Sequence, residues 1–215
     1  MKGISDIGFL FDLDGVLIDS EREYTRIWSD IESKYPTGVS DFPRVIKGTT
    51  LPHILDTYFP ENIHAQIVRE LVTRENHMVY DYCPGAEKTL AALKEYCIPA
   101  AIVTSSMPDK MEKLFRIHPE LRSMVGTVVD ASVVTHSKPD PQGYLIAADR
   151  LGRKPSRCVV IEDSLQGMAA GKNAGAFVIG LSMTLGEKSV AGHADKIIDT
   201  LADISVDEIL SLINR

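Results

Sequence analysis

Residues 9–20 read FLFDLDGVLIDS, an apolar run that ends abruptly in acids. The run starts at Ile7 and stops at Asp12, and Asp14 and a glycine follow. This pattern is typical of a buried strand that opens into a functional loop. In an extended chain, both carboxylates would lie on the same side. Two charges about 4 Å apart repel by roughly 4 kcal/mol at an effective dielectric of about 20. The pair therefore favours a divalent cation with oxygen ligands, such as Mg²⁺.

The Asp12/Asp14 pair alone has other interpretations. Aspartate and glycine are ordinary turn formers, so the pair also suits a surface turn. A calcium loop of the EF-hand type is disfavoured, because its glycine is the sixth loop residue whereas Gly15 comes fourth from Asp12. Some glycosyltransferase metal sites also contain Asp-x-Asp. The other motifs of the chain are needed to choose between these interpretations.

The composition is that of a globular protein of 215 residues, with 44% hydrophobic and 25% charged residues. A formal net charge of −7 gives no basic surface for nucleic acid, so we expect no such partner. No apolar run reaches the roughly 18–20 residues of a membrane span, and a signal-peptide pattern is missing. We interpret the cysteines Cys83, Cys97 and Cys158 as reduced thiols packed as small apolar residues. We expect a cytoplasmic protein without membrane contact.

The spacing of apolar residues predicts an α/β fold with a helical insert. In residues 19–82 apolar side chains recur at three- and four-residue steps, as they do in helices. From residue 83 onward helices alternate with short apolar strands, which indicates a Rossmann-like parallel sheet with helices on both faces. We predict a core domain of residues 1–18 and 83–215, and a small all-helical domain of residues 19–82. The later strands are predicted at 98–103, 127–129, 158–161, 176–179 and 196–198.

Polar residues follow four of the predicted strands. In an open parallel sheet ligands bind at the carboxyl ends of the strands, so these residues should share one edge. A carboxylate pair, hydroxyls, a lysine and a second carboxylate pair suit phosphoryl chemistry, in which nucleophile, metal and phosphate ligands meet. The residues are Asp12, Asp14, Thr104, Ser105, Ser106, Lys138, Glu162 and Asp163.

Each of these motifs also has a purely structural explanation. Thr104 could be the N-cap of a helix, and Lys138 could be a solvated surface residue. The two acids at 162–163 could stabilise the N-terminus of a helix through its dipole. Their joint occurrence, in order along the chain, favours the functional interpretation. Gly167 and Gly171 are different, because close helix packing explains them without any chemistry.

Four segments together resemble the motifs of the haloacid dehalogenase (HAD) superfamily of hydrolases. They are FDLDGVLIDS at 11–20, VTS at 103–105, KPDP at 138–141 and IEDS at 161–164. Their order and rough spacing also match, over essentially the whole chain. Within the superfamily the chain resembles the β-phosphoglucomutase-like branch, in which a helical cap follows the first motif. Residues 19–82 are accordingly called the cap.

The resemblance implies a catalytic role for each motif. Asp12 would attack phosphorus and form an aspartyl-phosphate. Asp14 would protonate the leaving oxygen and then activate water. Thr104, with the backbone of Ser105, would hold phosphoryl oxygens, and Lys138 would balance charge beside Asp12.

The resemblance also implies a Mg²⁺ site. Its ligands would be the Asp12 carboxylate, the Asp14 backbone carbonyl and Asp163, with Glu162 near the metal or its waters. An acid at position 14 argues against dehalogenation, because a departing halide needs no proton whereas a departing alkoxide does.

The cap departs from the mutase pattern at two positions. Where the resembled mutases have a histidine, twelve residues after the nucleophile, this sequence has Tyr24. Lys47-Gly48, expected to bind substrate, is present, but the arginine four residues after the lysine is replaced by Leu51. Four other cap residues that offer substitutes are Arg26, Arg44, His53 and His77. Tyr24 and Trp28 are expected to pack in the cap interior.

We therefore predict a Mg²⁺-dependent phosphatase that hydrolyses a small phosphorylated metabolite, such as a sugar or polyol phosphate. The alternatives are a β-phosphoglucomutase-like mutase and, less favoured, a non-catalytic metabolite-binding protein. We expect a monomer, because the cap has to move.

Overall fold

The structure is a computed structural model that describes residues 6–213. In this part of the chain, six parallel strands form one sheet in the order β3-β2-β1-β4-β5-β6. The strands are β1 (Gly8–Phe11), β2 (Ala100–Val103), β3 (Thr127–Val129), β4 (Cys158–Glu162), β5 (Phe177–Leu181) and β6 (Lys196–Ile198). This is the Rossmann-like α/β sheet that the alternating pattern predicts.

Helices cover both faces of the sheet and fill the insert. Four of them lie in the insert: α1 (Glu21–Lys34), α2 (Phe42–Val45), α3 (Leu51–Tyr58) and α4 (Glu61–Glu75). The others follow in the second part of the chain: α5 (Ala86–Glu95), α6 (Pro108–Ile117), α7 (Leu121–Met124), α8 (Gln142–Arg150), α9 (Leu165–Asn173), α10 (Glu187–Val190) and α11 (Val206–Ile213). Short 3₁₀ turns lie at Pro155–Arg157 and Leu201–Asp203. The exact division into core and cap domains stays a prediction.

The strand order places the end of β1 at the centre of the fold. The direction of sheet growth reverses between β1 and β4, and such a switch point opens a crevice at the strand ends. Phe11 pairs with Ile161 across these two strands. One residue later, the Asp12 N–H donates to the Ile161 carbonyl at 3.0 Å. The first acid therefore enters the crevice from the middle of the sheet.

The central strands are buried on both faces, which explains their continuous apolar sequences. Every residue of β1, β2 and β4 is buried. A sheet covered in this way holds its strand ends rigidly. That rigidity suits a site whose side chains come from separate parts of the chain.

The predicted elements agree with the structure apart from small shifts. β2 begins at Ala100, after Pro99, whose carbonyl accepts the Phe9 N–H. Pro141 is the residue before α8. The short helices α2, α7 and α10 were not predicted, because four residues are too few to show a helical period. Within residues 6–213, no helix is both long and apolar enough to cross a bilayer.

The prediction for the cysteines is wrong at one position. All three are free thiols, and Cys83 and Cys158 are buried as expected. Cys97 is exposed, with a φ of 55°. It lies in the turn after α5, where the chain reverses toward β2. A place in a surface turn, rather than in a packed interior, explains its exposure.

The packing of α9 on the sheet depends on Gly171. A side chain there would begin 2.9 Å from the side chains of Val160 and Val178. We expect Gly171→Val to lower the free energy of unfolding by about 1–3 kcal/mol through overpacking, as measured by urea denaturation. The control is Lys172→Val on the exposed side of the same helix, which should cost less than about 1 kcal/mol. Equal losses in the two variants would contradict this account.

Candidate active site

Asp12 is held in place by the sheet and by one buried lysine. Its Oδ1 accepts a hydrogen bond from Lys138 Nζ at 2.5 Å. Burial raises the pKa of Asp12 well above its ordinary value, although Lys138 pulls it down. The carboxylate is thus costly to keep ionised in this place unless more positive charge is near.

Lys138 bridges two carboxylates. Its Nζ also donates to Glu162 Oε1 at 2.5 Å and to the Val103 carbonyl at 3.2 Å. Burial alone lowers the pKa of Lys138, but Asp12 and Glu162 raise it by more, so the pKa lies above its ordinary value. Lys138 is buried rather than solvated, and it is fixed as an ammonium between β1 and β4.

Glu162 has both of its carboxylate oxygens occupied. Oε1 accepts from Lys138 and from the Tyr144 hydroxyl at 2.8 Å. Oε2 accepts from the backbone N–H groups of Asp163 and Ser164, each at 3.1 Å, and from the Ser164 hydroxyl at 2.9 Å. This geometry makes Glu162 a support for Lys138. Gly167 leaves room for it, since a side chain at that position would overlap the Glu162 carboxylate.

Asp14 has a separate cationic partner. Lys110 Nζ, from α6, lies 2.5 and 2.6 Å from its two oxygens. The hydroxyls of Ser20 and Ser106 also donate to this carboxylate. Burial raises the pKa of Asp14, but Lys110 and these hydrogen bonds outweigh it, so the pKa is below its ordinary value.

Lys110 is the site residue that the motifs did not predict. It lies on the buried face of α6, beside Met111 and Leu114. Its Nζ lies 4.4 Å from the centre of the Tyr24 ring, within cation–π range. A lysine on the apolar side of an amphipathic helix is the signal that would have found it, because lysine is rarely buried without a partner.

The loop after β2 supplies the hydroxyl groups. Thr104 is buried, and its Oγ1 accepts from the Ser106 N–H at 3.0 Å, so its hydroxyl hydrogen can donate elsewhere. Ser105 Oγ donates to the Gly48 carbonyl at 2.8 Å. The Ser105 side chain therefore binds the cap, and the role of its backbone at the phosphoryl group stays a prediction. Thr104 is not the N-cap of α6, because Met107 is the residue that precedes this helix.

Three buried carboxylates lie close enough to hold a cation. Ligand oxygens of Asp12, Glu162 and Asp163 lie within 4.8 Å of one another. Asp163 Oδ2 is buried without a hydrogen-bond partner among the described residues. Burial, with the adjacent Glu162 charge, raises the pKa of Asp163 to about 7. An unpartnered buried carboxylate oxygen beside Asp12 fits a hard divalent ion such as Mg²⁺.

Gly15 makes space for this carboxylate. It has a φ of 78°, and a side chain there would overlap Asp163 Oδ2. Because only glycine takes that backbone conformation without strain, the loop can pass directly over the carboxylate cluster.

The cap loop at residues 45–50 lies against the loops that follow the carboxyl ends of β2, β3 and β4. Besides the Ser105–Gly48 bond, the hydroxyls of Thr50 and Ser137 are 2.6 Å apart, and Gln166 Nε2 donates to the Val45 carbonyl at 2.8 Å. Lys47, from the same loop, forms an ion pair with Glu21. The structure therefore brings Lys47 and Gly48 to the strand ends, as expected of substrate-binding residues.

A cavity of about 550 Å³ lies between this loop, the cap helices and the strand ends. It contains the predicted site residues Asp12, Asp14, Lys47, Gly48, Thr104, Ser105 and Asp163. Lys138 and Glu162 lie behind Asp12. Tyr24 and Trp28 line the cavity as well as packing in the cap, where Trp28 meets Phe42 edge to face. Tyr24 donates its hydroxyl to Glu75 at 2.7 Å.

The chain is similar to known phosphatases and shares its fold with solved structures. Hexitol phosphatase A of Escherichia coli is 32% identical over 207 residues, which are 93% of each chain. The phosphorylated carbohydrates phosphatase of Thermotoga maritima is 30% identical over 183 residues, covering 77% of this chain and 80% of the relative. The crystal structure of β-phosphoglucomutase from Clostridium difficile superposes with a TM-score of 0.80 at 23% identity, over 96% of each chain, and shares the fold.

The family model of the haloacid dehalogenase-like hydrolases matches residues 8–175. That range holds the strand ends, the cap, both lysines and all four carboxylates described above. The chain is a member of the haloacid dehalogenase-like hydrolase family.

Proposed function

We propose that this protein is a Mg²⁺-dependent phosphatase that acts on a small phosphorylated metabolite, of the sugar or polyol class, through an aspartyl-phosphate intermediate. The observation that carries the proposal is the separation of the two aspartates. Asp12 is paired with Lys138, and Asp14 with Lys110. Neighbouring carboxylates in different environments can take different parts in one reaction.

In the first step, Asp12 attacks phosphorus and the ester oxygen leaves. Lys138 keeps the nucleophile oriented through its 2.5 Å hydrogen bond, and Glu162 fixes Lys138. Thr104 has a hydroxyl hydrogen to donate to a phosphoryl oxygen. The P–O bond to the alcohol breaks, and the alcohol oxygen takes a proton from Asp14. Because Lys110 favours the ionised carboxylate, Asp14 first takes this proton from the phosphate monoanion of the substrate, whose second pKa is about 6.

In the second step, Asp14 accepts a proton from water as that water attacks the aspartyl-phosphate. Phosphate leaves and the Asp12 carboxylate is restored. Lys110 and the two serine hydroxyls hold the Asp14 carboxylate at the cavity wall throughout. Such positioning converts an encounter with water into an oriented proton transfer.

The residues suited to Mg²⁺ are Asp12 and Asp163, with the backbone carbonyl of Asp14. When bound, the ion supplies positive charge that neutralises the phosphoryl oxygens and the acidic cluster. We assign Glu162 to Lys138 rather than to the metal, because its oxygens already accept five hydrogen bonds.

The cap of residues 19–82 is proposed to close over the core of residues 1–18 and 83–215 and to exclude bulk water.

A mutase is the second candidate, since the fold is shared with β-phosphoglucomutase. Against it, the described residues that line the cavity include no arginine or histidine. Lys47 is already paired with Glu21, so a second phosphate would have no free cationic partner. A binding protein would not need Asp14 as an acid. The monomeric state and the cytoplasmic location stay predictions.

We expect Asp12→Asn to abolish phosphate release, because an amide cannot attack phosphorus. The measurement is Mg²⁺-dependent phosphate release from a panel of sugar and polyol phosphates. Asp19→Asn, an exposed change in the same segment, is the matched control and should keep activity. Conversion of a hexose 1-phosphate to its 6-phosphate without phosphate release would contradict the proposal in favour of the mutase.

We expect Mg²⁺ to stabilise the protein against heat. At about 100 times Kd the ion should add about 2.7 kcal/mol, which raises Tm by roughly 5–10 °C. Asp163→Asn should remove this increment without lowering Tm in the absence of metal, because it neutralises an unpartnered buried oxygen. Asp109→Asn, at an exposed cavity residue, should keep the increment. An unchanged Mg²⁺ response of Asp163→Asn would exclude the proposed ligand.

We expect Lys110→Met to lower kcat/KM about 10²-fold, within the range ascribed to general acid–base catalysis, since Asp14 loses its cationic partner. Lys113→Met is the control on the same helix. Lys113 donates to the Glu75 carbonyl at 2.6 Å and does not contact Asp14. Its loss should change kcat/KM less than about threefold. If both variants lose the same activity, Lys110 acts only through the packing of α6.

A further inference from the structure

The part of the cavity that lies within the cap is lined mainly by apolar side chains. Three helices contribute residues to it at helical spacing. They are Tyr24 and Trp28 of α1, Leu51, Ile54 and Leu55 of α3, and Val68, Leu71 and Val72 of α4. Packed interiors rarely contain voids larger than a water molecule, so a 550 Å³ space with this lining is built for a ligand.

The apolar lining begins beyond the acid/base residue. Tyr24, beside Lys110, marks the level of Asp14, and Glu75 lies next to the Tyr24 hydroxyl. Trp28 is about one helical turn further along α1, and Val68 about two turns from Glu75 along α4. The cavity is therefore polar at the strand ends and mainly apolar further into the cap, where Asp56 of α3 is a charged residue of the lining.

The mouth of the cavity is also apolar on both sides. Val72 of the cap is 46% exposed and Met107 of the core is 44% exposed, and both line the cavity. Large apolar side chains left in water around a cavity commonly mark a binding surface. Here they continue the lining from the interior to the solvent.

Both lysines that line the cavity already have carboxylate partners. Lys47 is paired with Glu21, and Lys110 with Asp14. Near the strand ends, the Thr49 hydroxyl lines the cavity as a partner for a hydroxyl group of the ligand. A ligand portion rich in hydroxyls suits that end, whereas hydroxyls placed against Trp28 or Leu71 would lose hydrogen bonds with water.

We propose that the substrate is a sugar or polyol phosphate that carries an apolar group, alkyl or aryl, on the side away from the phosphate. The proposal rests on the phosphatase function and deepens it. The phosphate and adjoining hydroxyls lie at the strand ends, and the apolar group fills the space between α1, α3 and α4. Removal of that group from water provides the binding free energy that a simple sugar phosphate lacks.

The test compares three 6-phosphates of β-D-glucosides that share the phosphate and the sugar and differ only in the aglycone: methyl, n-hexyl and phenyl. We expect kcat/KM for phosphate release, with Mg²⁺, to be about tenfold or more higher for the hexyl or the phenyl glucoside than for the methyl glucoside. Burial of about two of the added methylenes is sufficient for that factor. Equal or better turnover of the methyl glucoside than of both others would overturn the inference.

Matched valine variants locate the effect. Val72→Thr keeps the shape of the side chain and adds a hydroxyl at the mouth of the cavity. We expect it to lower the preference for the apolar aglycone about threefold. Val79→Thr, at a residue that is 71% exposed and outside the cavity, should leave the preference unchanged. If Val72→Thr keeps the full preference, the apolar group does not lie where we place it.

The outcomes separate this inference from the proposed function. Phosphate release from the methyl glucoside 6-phosphate or from glucose 6-phosphate, without any preference for an apolar aglycone, would support the proposed phosphatase function and overturn the inference. Absence of Mg²⁺-dependent release from every ester, including p-nitrophenyl phosphate, would overturn the phosphatase and the inference together.

Discussion

The structure depends on holding four carboxylates, three of them buried, at one edge of a parallel sheet. Asp12, Asp14, Glu162 and Asp163 share this edge with the ammonium groups of Lys110 and Lys138. Fully ionised, four negative and two positive charges leave a formal charge of −2, in a place where charge is expensive to keep. A divalent cation would cancel that difference, which supports the proposed Mg²⁺ site.

The fold meets this constraint by placing the charges where backbone and packing are most rigid. β1 and β4 lie side by side at the switch point, and each ends in acids. Gly15 and Gly167 provide the space that the Asp163 and Glu162 carboxylates occupy. The expectation that Gly167 reflects helix packing alone is thus incomplete, because the group packed against it belongs to the charged cluster.

The sequence was sufficient to predict the strand ends, since apolar runs that stop at polar residues follow directly from the geometry of a parallel sheet. Those runs predicted Asp12, Thr104, Lys138 and the acids at 162–163. The partners were harder to predict. That Tyr144 supports Glu162, and that Lys110 reaches Asp14 from 96 residues away, depends on how helices pack on the sheet. Local patterns do not contain that information.

The apolar lining of the cavity could not be predicted for the same reason. The apolar faces of its three helices look like ordinary cap packing when each helix is considered alone.

The three hydrogen bonds between the loop at 45–50 and the core have a kinetic consequence. They join Gly48 to Ser105, Thr50 to Ser137 and Val45 to Gln166. Each is a single hydrogen bond, one exposed and two partly buried, of a kind that contributes only about 0.5–1.5 kcal/mol net. In the proposed opening and closing of the cap, all three pairs would have to meet again for the cap to close in the same register. Exchanges among small polar residues at 45–50 would then change turnover through product release, without altering the acids that carry out the reaction.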